Sequence, residues 1–319
     1  MGDTGDHLEQ WVGAGVLAPE AAEAIRAYER SRAPNRDTAP GGLEALLYLG
    51  IVVLSVGVFA LLAQQWRDLE SWARLLAIGV PTGLLLAAGA VMRLNDAPEM
   101  QRGSQAAWLA GTGLFAGTLG VLFNEYRLGF PEQDDRGRIL TITTATFLVA
   151  LALWALNESH AQLLAVAASG FALGQAVGNW PDEFSQTLAG MTVLTVGIVG
   201  LALIEWGAIK PVASGRLFFA VLAIAGPYEA GVGDGPLAFE LLAGAFAAAT
   251  IGYAVLRGSF SLLLIGVAAA FAILVSFIFE HFEERIGAPA ALILSGGLLV
   301  AAVLLVARYR QTKARRVPG

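Results

Sequence analysis

Ten stretches of this chain meet or approach twenty residues in length, mostly apolar and free of charge at their centres. No other feature constrains the fold so strongly. A helix rises about 1.5 Å per residue, so about 20 apolar residues cross the roughly 30 Å hydrocarbon core of a bilayer. The stretches are Leu43–Ala63, Ala73–Met92, Gln105–Phe123, Ile139–Leu156, Ala161–Gly178, Thr187–Trp206, Arg216–Tyr228, Leu237–Leu256, Phe260–Phe279 and Ala288–Ala307. They predict an all-α, polytopic transmembrane bundle of about ten spans. The seventh is the weakest, being short and containing Pro227, with Glu229 just beyond it. It reads as a re-entrant or broken helix as readily as a full span.

Composition agrees. Of 319 residues, 56% are hydrophobic and 14% charged, against about 25% charged in a soluble domain. So few polar side chains cannot cover a water-facing surface. There is no cysteine, which excludes a disulfide framework, a thiolate zinc site and a cysteine nucleophile.

Four regions follow: a helical hairpin at 1–32, a linker at 33–42, a membrane domain at 43–307 and a basic tail at 308–319. In the hairpin, two short helices should meet near Gly13–Pro19. Leu8, Trp11 and Val12 share one face, and Ala21, Ile25 and Tyr28 repeat at helical spacing. Pro19 is placed to open the second helix. The hairpin is too small to bury a core alone. It therefore leans on the protein's own loops, or docks a protein partner or the membrane surface. The first 42 residues are polar and lack the apolar run of a cleavable signal peptide, so targeting is assigned to the first span.

Basic residues orient the bundle. With the N-terminus cytoplasmic, 14 of the 20 fall on the cytoplasmic side, four in the N-terminal tail and five in the C-terminal tail. Both tails being basic favours an even number of spans and two cytoplasmic termini. The loops alone decide nothing. Trp66, Trp72, Trp154, Trp180 and Trp206 sit near predicted span ends, as an aromatic belt requires.

Ionisable groups within a membrane are costly and usually functional. No Asp, Lys or Arg lies at the middle of a confident span, which counts against a proton-coupled transporter. The candidate substrate-binding residues are Glu229, Glu240 and Gln175. Glu229 and Glu240 either face one another in an acidic pocket near the outer surface or each reach interfacial water. Glycines four residues apart let helices approach closely. Gly79 and Gly83, Gly113 and Gly117, and the series Gly170, Gly174 and Gly178 are expected to pack helices or to hold a second copy of the chain. Glu280-His281-Phe282-Glu283-Glu284 has no second cluster to complete a metal site. No phosphate loop, dinucleotide fingerprint or nucleophile elbow is present. No metal, no cofactor, no nucleic-acid partner and no enzymatic activity are expected.

The opening run LEQWVGAGVLAPEAAEAIRAYE, the later LLAQQWRDLESWARLLAIG and the closing FEERIGAPAALILSGGLLVAAVLLVARYRQ resemble the bacterial predicted membrane proteins grouped as domain of unknown function 2157. The loop LFNEYRLGF departs from that family's pattern. The resemblance implies a multi-pass protein of the bacterial cytoplasmic membrane and brings no activity or catalytic residue with it. Two functional classes remain: a permease-like or lipid-handling protein, which needs a cavity in the bundle, and an accessory or scaffold subunit, which needs none.

Overall fold

The computed structural model describes residues 8, 11–32, 64–126, 135–181, 183–232, 235–280, 293, 296 and 297. The predicted first span at 43–63, most of the tenth at 288–307, the acidic run 281–284 and the basic tail lie outside them. The chain divides into two compact units, Met1–Leu69 and Glu70–Gly319.

In the first unit, a helical turn at 11–13 leads into α1, Pro19–Arg32. Gly15 takes φ 71°, a left-handed conformation that only glycine adopts without strain. Its N–H reaches the Val12 carbonyl at 3.1 Å, and the Val16 N–H reaches that of Trp11 at 2.9 Å. This closes the first turn as a glycine C-cap does. Leu8 is buried and Val12 half-buried, but Trp11 on the same predicted face is exposed. On α1 the buried residue is Ala22 rather than Ala21. The inward stripe is shifted by one residue, pairing Ala22 with half-buried Ile25 at a spacing of three.

The second unit is all-helical among its described residues. Its helices are α2 Ser71–Arg93, α3 Pro98–Tyr126, α4 Asp135–Leu156, α5 His160–Gly178, α6 Gln186–Glu205, α7 Val212–Gly231, α8 Leu237–Arg257 and α9 Phe260–Glu280. All but α7 are long and apolar enough to cross a membrane. Sequence neighbours from α2 to α8 pack side by side, and α5 also touches α3 and α7. Hydroxyls cap two of the starts. Ser159 accepts the Gln162 N–H at 3.3 Å, and Ser185 accepts that of Leu188 at 3.2 Å. Gly258 ends α8 at φ 66°.

The seventh predicted span is neither re-entrant nor broken. α7 runs unbroken for 20 residues through Pro227, about 30 Å of helix. It is also enclosed: Phe219, Leu222, Ala223, Ile224, Gly226 and Ala230 are all buried. A helix held by α5, α6 and α8 meets mostly protein. Arg216 and Glu229 near its ends therefore lower its hydropathy without harm.

Glycines set the closeness of this core. A Cβ added at Gly174 would lie 2.4 Å from Val193, one at Gly178 2.5 Å from Ala189, and one at Gly170 2.9 Å from Val196. These contacts press α5 onto α6. Gly190, Gly197 and Gly200 on α6 do the same toward α7, against Gly226, Ala223 and Phe219. Of the other predicted packing glycines, Gly79 and Gly117 make ordinary contacts at 3.5 and 3.7 Å, while a Cβ at Gly83 or Gly113 would meet none of the described residues within 4 Å. α2 and α3 meet instead where Trp108 crosses Gly89 and where the Thr82 and Thr118 hydroxyls lie 2.9 Å apart. Leu76, Leu84, Leu148, Leu164, Val199, Leu241 and Leu264 are exposed. In water such a surface would aggregate; in lipid it is the expected exterior.

Candidate functional site

Two features lie toward opposite ends of α7. Phe219 borders the first and Glu229 the second. Ten residues separate them, about 15 Å of helix.

The Glu229 end is polar. Gln175 of α5 donates its side-chain N–H to Glu229 Oε1 at 2.6 Å. The second oxygen, Oε2, is buried with no hydrogen-bond partner among the described residues. Glu240, in the first turn of α8, is only 6% exposed. That excludes the expectation that it reaches water. It lies on the backbone of Gly231, where an added Cβ would come within 2.8 Å of Glu240 Cγ. The Tyr228 hydroxyl and Ser276 Oγ, 2.9 Å apart, tie α7 to α9. The structure thus joins Gln175 to Glu229 and seats Glu240 two residues beyond, at Gly231. A carboxylate with one buried oxygen open is an acceptor for a donor group on a ligand.

At the other end is an apolar cleft of about 510 Å³. Buried Leu163 and Val166 of α5 and Phe219 of α7 form its floor. Phe147 and Leu151 of α4 face Val196, Val199 and Leu203 of α6 across it. Its one hydroxyl, on Thr195, is turned back onto the Met191 carbonyl at 2.7 Å, so the walls offer no polar group. Along α6 the cleft runs from Thr195 to Leu203, about 12 Å of helix. That is less than the roughly 15 Å of one leaflet's hydrocarbon.

Ala208 and Ile209 close the end of the cleft, beside Trp154. The Trp154 indole N–H donates to the Lys210 carbonyl at 3.0 Å. His160 Nδ1 hydrogen-bonds Ser214 Oγ, which ties the start of α5 to α7. A smaller cleft of about 260 Å³ lies between α6, α7 and α8. At its rim Glu205 accepts from Arg216 Nε at 2.8 Å and from the Tyr253 hydroxyl at 3.0 Å. Arg257 lies 5.5 Å from the centre of the Tyr253 ring.

The larger cleft carries no sequence signal, because residues that line an apolar groove are those that would face lipid. Gln162 is also unsignalled. It is fully buried and reaches the Gln105 carbonyl at 3.3 Å through Nε2, while its Oε1 and the neighbouring Ser104 Oγ have no hydrogen-bond partner among the described residues. Among the described residues no three His, Asp or Glu side chains gather to hold a metal. The run Glu280-His281-Phe282-Glu283-Glu284 lies beyond them after Glu280.

No curated protein and no solved structure matches the chain. Residues 9–155 match the family described as Predicted membrane protein (DUF2157). The match takes in the N-terminal hairpin and α2 to α4, and ends before α5. Glu229, Glu240, Gln175 and three of the four helices lining the cleft therefore lie outside it. This chain is a membrane protein with multiple apolar spans, and its N-terminal part carries the signature of the DUF2157 family that its opening motifs resemble.

Proposed function

We propose that this is a non-enzymatic lipid-handling protein of the bacterial cytoplasmic membrane, admitting an acyl chain sideways from one leaflet into the cleft between α4 and α6. The cleft itself carries the reading. Its volume of about 510 Å³ falls in the range of small-molecule sites, about 300–1,000 Å³. Its walls are apolar, Val199 on its rim is half exposed, and its length suits one leaflet. Lipid tails outside are as apolar as the walls, so no hydrophobic drive favours entry. What a bound chain gains is contact: a groove wall with nothing against it forfeits dispersion attraction. Such a site selects chains by shape. A scaffold subunit needs no cavity, so the cleft supports the lipid reading over that one.

A permease is the second reading, supported by the open oxygen of Glu229. Between that oxygen and the cleft stand close contacts such as Gly197 on Ala223 and Gly190 on Gly226. A polar solute would need these to part.

The test is native mass spectrometry of the protein extracted gently with its lipids. The expected result is a retained lipid that is lost when Val199→Trp fills the cleft from its exposed rim. Retention unchanged by that substitution would refute the reading. A stoichiometric protein partner with no lipid would favour the scaffold and direct attention to residues 3–32.

A further inference from the structure

We infer that the lipid in the cleft is an anionic phospholipid, its phosphate held by Lys210. The inference rests on the reading of the cleft as an acyl-chain site and adds the class of headgroup.

Ala208 and Ile209 line the end of the cleft, in the turn between the close of α6 at Glu205 and the start of α7 at Val212. Helix ends mark the headgroup layer, so a chain seated here has its head at this turn and its tail toward the midplane. Lys210 is the next residue and is exposed. It is one of only two lysines in the chain.

The backbone at Lys210 is fixed from the cleft side. Its carbonyl accepts the indole N–H of Trp154, which is itself a wall of the cleft. Four residues on, Ser214 is held by His160. The ammonium thus swings on a flexible stem from an anchored point beside the opening. A compact charge with three donors on such a stem suits a phosphate.

Charge points the same way. Lys210 makes no ion pair among the described residues, whereas Arg216, at the same end of α7, is taken up by Glu205. The remaining walls are apolar and supply nothing to a choline or other cationic headgroup. A net-negative headgroup neutralises Lys210; a zwitterionic one does so only in part. One lysine near an anionic surface corresponds to roughly a fivefold preference.

The test is competition between phosphatidylglycerol and phosphatidylcholine with identical acyl chains, on the full-length protein, read by native mass spectrometry. The wild type should retain phosphatidylglycerol about fivefold over phosphatidylcholine. Lys210→Gln should keep bound lipid but lose the preference, and Lys210→Arg should keep both. Undiminished preference in Lys210→Gln would overturn the headgroup assignment and leave the acyl-chain reading standing. Equal retention of both lipids by Val199→Trp and wild type would remove the cleft reading, and this inference with it. Lys210 is exposed, so its substitution leaves the folded bundle intact for the comparison.

Discussion

Gly190 and Gly226 face each other across α6 and α7 so closely that a Cβ on Gly190 would lie 2.3 Å from the Gly226 carbonyl oxygen. The reverse distance, from a Cβ on Gly226 to the Gly190 oxygen, is 2.6 Å. Neither obstacle is a side chain that could rotate away. Gly190→Ala or Gly226→Ala must therefore push the helices apart, at about 1–3 kcal/mol, the usual range for overpacking a core. Gly83→Ala and Gly113→Ala meet none of the described residues within 4 Å and gain helix propensity. In thermal unfolding of the purified protein, the first two should melt several degrees below wild type and the second two at or above it. Equal melting temperatures across all four would refute this account of the core.

The contact also shows what the sequence could not display. Gly170, Gly174 and Gly178 advertise themselves by regular spacing on one helix. Gly190, Gly197 and Gly200 are spaced by seven and three, and Gly226 is a lone glycine before a proline. Their meaning lies in which neighbour they face, and that is set by tertiary contact. The spans that face lipid were legible because their composition answers to lipid. α7 answers to other helices, and its short apolar run, Pro227 and Glu229 made it look broken. Gln175 and Glu229 were both visible as polar residues in apolar surroundings. Their pairing across 54 positions was not, and Glu240 was the partner that proximity in sequence suggested.

That pair gives a second prediction. Gln175→Leu leaves both oxygens of Glu229 unsatisfied, and Glu229→Leu strands the Gln175 amide. Each should destabilise by about 1–3 kcal/mol, the penalty for an orphaned buried polar group. The double variant removes both halves and should be less unstable than the sum of the singles. A double-mutant cycle on unfolding reads the coupling directly; strictly additive effects would mean the bond contributes nothing.

A functional role for the polar corner is a separate matter. Glu229→Gln with Glu240→Gln keeps the side-chain shape but replaces one carboxyl oxygen on each with an amide that donates. If the corner handles a ligand, this variant should fail to complement whatever phenotype deletion produces. Full complementation would confine both residues to structure.

Two ion pairs should rank by exposure. Arg74 meets Glu125 at 2.6 Å with side chains 22% and 14% exposed. The Ser71 hydroxyl donates to the same carboxylate at 2.6 Å. Arg216 meets Glu205 at 2.8 Å, but that carboxylate is 47% exposed, where pairs contribute less than about 1 kcal/mol. Arg74→Ala should therefore lower the melting temperature more than Arg216→Ala, and the Arg216 effect should fade as salt is raised. The reverse order would mean that the Arg216 contact with the Tyr253 ring, at 5.4 Å, outweighs its ion pair.

Orientation bears on the proposed headgroup site, because the cytoplasmic leaflet carries a negative surface potential from its anionic lipids. In the proposed topology both basic tails are cytoplasmic, and an alternating bundle then puts the Lys210 turn on that side too. Glu158 precedes α5 and Glu183 follows it, so they stand at opposite ends of one span, and both are exposed. The chain has no cysteine, so a single thiol at either position reports without interference. Glu183→Cys should react with a membrane-impermeant maleimide in intact cells. Glu158→Cys, which shares the bundle end of Lys210, should react only after permeabilisation. The opposite pattern would invert the topology and place Lys210 against the outer leaflet, where the source of an anionic lipid would have to be sought instead.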